Sequence, residues 1–298
     1  MIVYFPSVII IVRRLAAVTA LGAVLAGCGS GASFTPPSPG KAAAASPHPG
    51  KPPEQRPKQA PPTLAPGPGG VTPVFERAAT STATGDMTVA LTFDADMTAD
   101  QGPRAADGEH FDNPGLIASL RELKVPSTVF MTGRWAEQYP DQARAIGNDP
   151  LFETANHSYS HYAFKASCYG LPTVARSEMR ADVDRAFAAF SKAGVRNTVP
   201  YFRFPGGCYD DAALRAIAPA QVTAVQWDVV SGDAFATDAD AVAEQVLDGV
   251  KPGSLVVMHC TRSAAPVTEQ AVRRIVPELR KRGYRLVKVS ELMRRGRA

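Results

Sequence analysis

The run Asn156-His157-Ser158-Tyr159-Ser160-His161 is the stretch best suited to chemistry. Histidines four apart share one face of a helical turn, so both imidazoles can reach a single divalent ion. The chain holds only five histidines, which makes the pair a concentrated use of a scarce residue. Taken alone, it is equally compatible with two surface histidines on an exposed turn. A working metal centre needs a third ligand, and a base and an acid close by.

The elements that must position the pair alternate from Met87 onward. Strands are predicted at Thr88–Phe93, Ser127–Met131, Leu151–Asn156, Pro200–Phe204, Val222–Trp227, Ser254–Met258 and Tyr284–Val289. Helices are predicted at Asn113–Leu123, with Asn113 as cap and Pro114 in the first turn, and at about Arg134–Ile146. Further helices are predicted at Thr173–Ala193, Asp210–Ala218, Asp238–Val250 and Val267–Arg282. Such alternation means parallel strands joined by crossover helices. Seven strands in this length fit one α/β barrel, with a doubly wound open sheet as the alternative. Both architectures gather chemistry at the carboxyl ends of the strands. Those ends read Asp94-Ala95-Asp96, His157 with His161, Arg203-Phe204-Pro205-Gly206-Gly207, Trp227-Asp228 through Asp233, and His259. Five of the seven predicted strands therefore bring carboxylate, imidazole or guanidinium to one rim.

In this order the segments resemble the five motifs of the polysaccharide deacetylase (NodB-homology) family, carbohydrate esterase family 4. They are Thr92-Phe93-Asp94-Ala95-Asp96, His157-Ser158-Tyr159-Ser160-His161, Arg203-Phe204-Pro205-Gly206-Gly207, Ser231-Gly232-Asp233 and Val256-Val257-Met258-His259. The resemblance runs from about Met87 to Leu292 and implies a distorted (β/α) barrel, usually of seven strands. It implies a metal triad of Asp96, His157 and His161 holding one divalent ion, zinc or else cobalt or nickel. That ion would polarise the acetyl carbonyl and acidify its water, with Asp94 as general base. Ala95 separates the two carboxylates where the family more often has adjacent aspartates. Residues i and i+2 of a strand face the same way, so both can still address one site. The resemblance further assigns Ser158 to orienting the histidines and Arg203 to holding Asp94 charged. It brings a main-chain N–H at Pro205-Gly206 to the oxyanion, although the family often has tyrosine at Gly206. His259 would be the general acid, held by Asp233 or by its rival Asp228. The fourth motif is eroded: Val230 stands where an aspartate is common, and Ala234 where tryptophan is.

The first 27 residues read as a targeting segment. Arg13-Arg14 precedes the apolar run Leu15–Ala26, and Leu25-Ala26-Gly27-Cys28 resembles a lipoprotein lipobox, which makes Cys28 a lipidation site. Met1–Ile11 fits poorly before such a signal, so initiation near Val12 is expected. Half of the 26 prolines lie between Pro36 and Pro73, so residues 28–84 read as a disordered tether. At polyproline pitch it would reach on the order of 100 Å. Residues 85–298 form the expected catalytic domain. Of the remaining cysteines, Cys168 and Cys208 each follow a motif on the same rim and are expected to bridge, with Cys260 buried beside His259. The net charge of +4 is too small to argue for nucleic acid. The basic residues crowding the C-terminal end interleave with apolar ones, as on the wet face of a helix.

The expected protein is thus a membrane-anchored extracytoplasmic lipoprotein, monomeric, deacetylating an N-acetylhexosamine polymer, with peptidoglycan the preferred substrate. An O-acetyl polysaccharide esterase, a chitooligosaccharide deacetylase and an inactive wall-binding lipoprotein are the alternatives.

Overall fold

A computed structural model of the protein describes residues 60–79 and 85–296. Among them is one nine-stranded sheet, parallel throughout. Its strands are β1 (Val74–Phe75), β2 (Thr88–Ala95), β3 (Ser127–Met131), β4 (Phe152–Asn156), β5 (Thr198–Phe202), β6 (Thr223–Val225), β7 (Val229–Val230), β8 (Leu255–His259) and β9 (Arg285–Leu286). They run in the order β1-β6-β5-β4-β3-β2-β8-β7, with β9 paired to β2 off that path. The sheet curls into a barrel left open between β1 and β7, the distorted α/β barrel expected. Helices cover it: α1 (Gln101–Ala106), α2 (Pro114–Glu122), α3 (Gly133–Gln138), α4 (Pro140–Gly147), α5 (Met179–Ala193), α6 (Asp211–Ile217), α7 (Ala239–Gly249), α8 (Thr268–Lys281) and α9 (Val289–Arg295).

Alternation along each strand divides the core in two. Leu91, Phe93, Val129 and Val256 face out and pack with Leu120, Trp135 and Ile275 of the surrounding helices. Ala90, Phe130, Ala155, Tyr201, Val225 and Leu255 face in, where they close on Val287, Val289, Leu292 and Met293. The C-terminal segment therefore fills the inside of the curled sheet. This corrects the strand read at Tyr284–Val289: two residues pair with β2, and the chain then turns into α9. Buried Glu153 fixes that turn, accepting from Thr128 Oγ1 at 2.8 Å and from the Ser290 N–H at 2.9 Å.

Pro140 splits the helix expected at Arg134–Ile146, because proline bars helical geometry at Tyr139 and donates no N–H. The helix expected from Thr173 begins at Met179 after one 3-10 turn, and Gly194 at φ 80° ends it. Asn113 caps α2 as read, its side chain accepting from the Leu116 N–H at 3.0 Å. Several of the C-terminal basic residues meet acidic partners: Arg273 meets Glu122 and Glu269, Arg282 meets Glu278, and Arg285 and Arg295 meet Glu291.

The folded domain starts before residue 85. β1 pairs with β6, Tyr201 Oη donates to the Pro62 carbonyl at 2.8 Å, and Phe75 and Ala78 join the inner core. The proline-rich composition hid this, since two apolar residues suffice for an edge strand once a sheet is there to receive them. The signal segment, Cys28, the start near Val12 and the tether up to residue 59 lie outside the described residues. A chain beginning at residue 80 loses Phe75, Ala78 and β1, which should cost about 3 kcal/mol and lower Tm by about 6–12 °C relative to one beginning at residue 60. Thermal unfolding of the two chains measures this, and equal midpoints contradict it.

Candidate active site

Strand register assembles the rim. Asp94 on β2 is the Cα partner of His259 on β8. Ala95, Met131, Asn156 and Phe202 pair in succession across β2, β3, β4 and β5. One step further along those strands come Asp96, Thr132, His157 and Arg203. Inward-facing Ala90, Ala155, Tyr201 and Leu255 share strand parity with Asp94, His157, Arg203 and His259. The same alternation that fills the barrel with apolar groups thus ends in charge at its mouth.

Arg203 is fully buried, and its Nη1 donates to Asp94 Oδ1 at 2.6 Å. Its Nε donates to the Val225 carbonyl at 3.2 Å, and its guanidinium lies 3.8 Å from the Phe130 ring centroid. The guanidinium is therefore fixed on several sides, and it fixes Asp94 in turn. Asp94 Oδ2 lies 3.7 Å from His157 Nε2.

The histidine pair is not on a helical turn. Ser158 and His161 adopt left-handed backbone, with φ 70° and 57°, so the segment is a tight loop beyond β4. Polar side chains replace helical hydrogen bonds: Asn156 Oδ1 accepts from the Ser158 N–H at 2.8 Å, and Ser158 Oγ from the His161 N–H at 2.9 Å. Asp182 on α5 accepts from the N–H groups of Tyr159 and Ser160 at 2.7 and 3.3 Å. The loop still brings the imidazoles together, with ring centroids 5.0 Å apart. His157 Nδ1 meets the Arg203 carbonyl at 2.9 Å, the contact of an Nδ1–H tautomer, which leaves Nε2 with its lone pair. Burial pushes His157 down to about 4 against the pull of Asp94, so this imidazole is neutral. Asp96 Oδ2 lies 3.6 Å from His161 Nε2, and Asp96 Oδ1 accepts from Thr261 Oγ1 at 2.7 Å. Burial raises the Asp96 carboxyl, but His161, His259 and the Thr261 hydroxyl outweigh it and hold it below the usual range.

Among the described residues no three His, Cys, Asp or Glu side chains stand ready-made as a metal cage. The donor chemistry nevertheless suits a divalent ion, since one ionised carboxylate and two imidazoles are a common ligand class for zinc. The separation of Asp96 Oδ2 and His161 Nε2, 3.6 Å, is close to that of two ligands each about 2 Å from one ion.

Across the mouth, His259 Nδ1 meets Asp233 Oδ1 at 2.8 Å, and the His259 N–H donates to Asp233 Oδ2 at 2.7 Å. Thr268 and Ser231 hydroxyls also donate to that carboxylate, at 2.7 and 2.9 Å. Burial opposes charge on His259, but Asp233, with the nearby Asp94 and Asp96, outweighs it and lifts the imidazole to about 9. Asp228, the rival partner, lies elsewhere: it accepts from the Leu255 N–H and Ser254 Oγ at the start of β8. Pro205 is buried and Gly206 exposed, at φ 62°. A Cβ on Gly206 would lie 2.6 Å from Cys168 Sγ, so no larger residue fits there without movement. Cys168 and Cys208 form the expected disulfide, and Cys260 is free and buried, its thiol pushed up to about 12 by burial. Thr261, Thr268 and Asp182 went unread in the sequence. Only Thr261 carried a signal, standing two residues past His259.

Replacing Arg203 by methionine strands a buried Asp94 charge and should cost about 3–5 kcal/mol of stability in urea unfolding. Adding Asp94→Asn should recover most of the loss, and an equally unstable double variant contradicts the pairing. Because the His259 pKa is raised, the stabilisation from its pair with Asp233 is complete below about 6.5 and lost as pH rises through about 9. Asp233→Asn should bring that pKa down towards 6.5, read by NMR titration of the imidazole; an unmoved titration contradicts the assignment.

The polysaccharide deacetylase family model matches residues 81–225, just under half of the chain. A chitooligosaccharide deacetylase of Sinorhizobium fredii is 29% identical over 211 residues, covering 67% of this chain and 89% of the relative. A peptidoglycan-N-acetylglucosamine deacetylase of Bacillus cereus is 28% identical, covering 66% and 87%. A crystal structure of a peptidoglycan N-acetylglucosamine deacetylase superposes with TM-score 0.62 at 22% identity, over 75% of this chain and 94% of that one, a likeness of fold. Over these residues the chain is similar in sequence to polysaccharide deacetylases, and it shares their fold.

Proposed function

We propose that the protein hydrolyses N-acetyl groups on the N-acetylglucosamine of peptidoglycan. The observation that carries this reading is the in-register pair of Asp94 and His259 on β2 and β8, strands of a kind spaced about 4.8 Å apart. A carboxylate and a charged imidazole so spaced flank one scissile bond. Asp96, His157 and His161 would hold a divalent ion, zinc first, supplying Lewis acidity to the acetyl oxygen and the attacking water. Asp94, aimed by Arg203, takes the proton from that water as its oxygen adds to the carbonyl carbon. The Gly206 N–H donates to the oxyanion. His259 Nε2 then gives its proton to the departing nitrogen as the C–N bond breaks, leaving acetate and a free amine. Asp233 keeps that imidazole protonated until then.

Peptidoglycan is preferred over soluble chitooligosaccharides because a lipid on Cys28 and a proline-rich stalk would hold the domain in the cell envelope above the membrane. An amine must be protonated as it leaves, whereas an ester's alcohol depends on that less, so an imidazole that Asp233 keeps protonated at neutral pH suits an amide. The test is acetate release from peptidoglycan, N-acetylglucosamine oligomers and acetylated xylan by zinc-loaded protein. The expected order is peptidoglycan first and xylan last, with Asp94→Asn lowering kcat about 10²–10⁴-fold. Release from xylan alone would make the protein an esterase, and release from none with peptidoglycan still bound would make it a wall-binding protein.

A further inference from the structure

Large apolar side chains stand well exposed at three places among the described residues: Tyr169 at 88%, Phe235 at 82% and Val230 at 53%. All three are at the rim that carries the reacting groups. Tyr169 follows Cys168, whose disulfide to Cys208 ties it to the Pro205–Gly207 corner beyond β5. Its ring reaches Gly206, with Cδ2 3.2 Å from the place a Cβ would take there. Val230 ends β7, and Phe235 follows Asp233 by two residues. In the sheet order β5 and β7 stand on opposite sides of β2, so one aromatic lies to each side of Asp94 and His259.

Their backbones add a second, independent sign. Tyr169 and Phe235 are both left-handed, with φ 48° and 58°. Bulky residues rarely adopt that conformation, which costs of order 1 kcal/mol and persists only where the surroundings impose it. They do so here. The disulfide and a hydrogen bond from the Leu171 N–H to the Cys168 carbonyl at 2.9 Å hold the Tyr169 turn. Bonds from the Phe235 N–H to the Ala264 carbonyl at 2.6 Å and from the Ala236 N–H to the Asp233 carbonyl at 3.1 Å hold the other. Each ring is thereby fixed outward into water, where an apolar surface is unfavourable unless something covers it.

We propose that Tyr169 and Phe235 are stacking platforms for the sugar rings on either side of the reacting unit, with Val230 widening the second platform. A pyranose offers an apolar C–H face that fits a flat aromatic, and both aromatics stand on the rim that a polymer reaching Asp94 and His259 would cross. The protein then selects a chain of several sugars over a short one. This rests on the deacetylase reading for the identity of the occupant.

The test is calorimetric affinity of the whole chain for the dimer and the hexamer of N-acetylglucosamine, alongside acetate release from each. The hexamer should bind more than about tenfold tighter than the dimer, and Tyr169→Ala or Phe235→Ala should each cut that hexamer-to-dimer ratio by about 5–10-fold. Tyr169→Trp and Phe235→Trp should keep it, and unchanged melting midpoints show that the variants fold. No length preference in the parent protein overturns the proposal, as does a ratio untouched by either alanine. A length preference that is lost in the alanine variants, in a protein that releases no acetate, supports the platforms and refutes the deacetylase reading.

Discussion

A buried ion pair organises the mouth of this barrel. Arg203 and Asp94 are both withdrawn from water, and the cost of desolvating two ions is recovered only where geometry is close and the remaining donors are satisfied. Here the guanidinium meets a carboxylate at 2.6 Å, a main-chain carbonyl at 3.2 Å and an aromatic face at 3.8 Å. A carboxylate so clamped has one oxygen committed to Arg203 and the other turned towards His157. The pair thus couples a fold requirement to a chemical one, because the interaction that makes the charge tolerable also aims it.

The rest follows from strand parity. Inward positions are apolar deep in the barrel and ionisable at its mouth, so one two-residue period serves packing and chemistry alike. The C-terminal segment and α9 fill the deep end, which leaves the mouth as the accessible part of the interior. Around it, each ionisable group has its own holder: Thr261 for Asp96, the Arg203 carbonyl for His157, Asp233 for His259 and Asp182 for the loop between the histidines. Neutral His157 and charged His259, opposite states of one residue type within one cleft, come from the balance of burial against carboxylate contact at each.

Strand tips were legible in the sequence at Asp94, Asn156 and His259, where charged or polar residues take over from apolar ones, whereas the strand read at Pro200–Phe204 runs two residues earlier, Thr198–Phe202. The Cys168–Cys208 bridge was legible for the same reason, both residues following motifs on one rim. Residues 60–79 and the end of β9 were not, since short edge pairings are decided by the sheet that receives them and leave little local pattern. Spacing of four suggested a helical turn for His157 and His161, yet Asn156 and Ser158 offered the backbone other partners and produced a loop. The spacing was read with the wrong geometry and still pointed to the right neighbours. Asp182 and Thr268 lie on α5 and α8, distant in sequence from what they hold, and nothing local marked them.

One carboxylate and two imidazoles are a donor set suited to a divalent ion, and in this chain Asp96, His157 and His161 are the groups that would carry it. Metal retention tests that assignment most directly. The chain is equilibrated with zinc, dialysed and assayed for metal content beside Asp96→Ala and His161→Ala. About one equivalent should remain on the parent protein, with affinity falling at least about tenfold in each variant while the fold persists. A parent protein that keeps no zinc, cobalt or nickel, or variants that keep as much as the parent, would contradict the account.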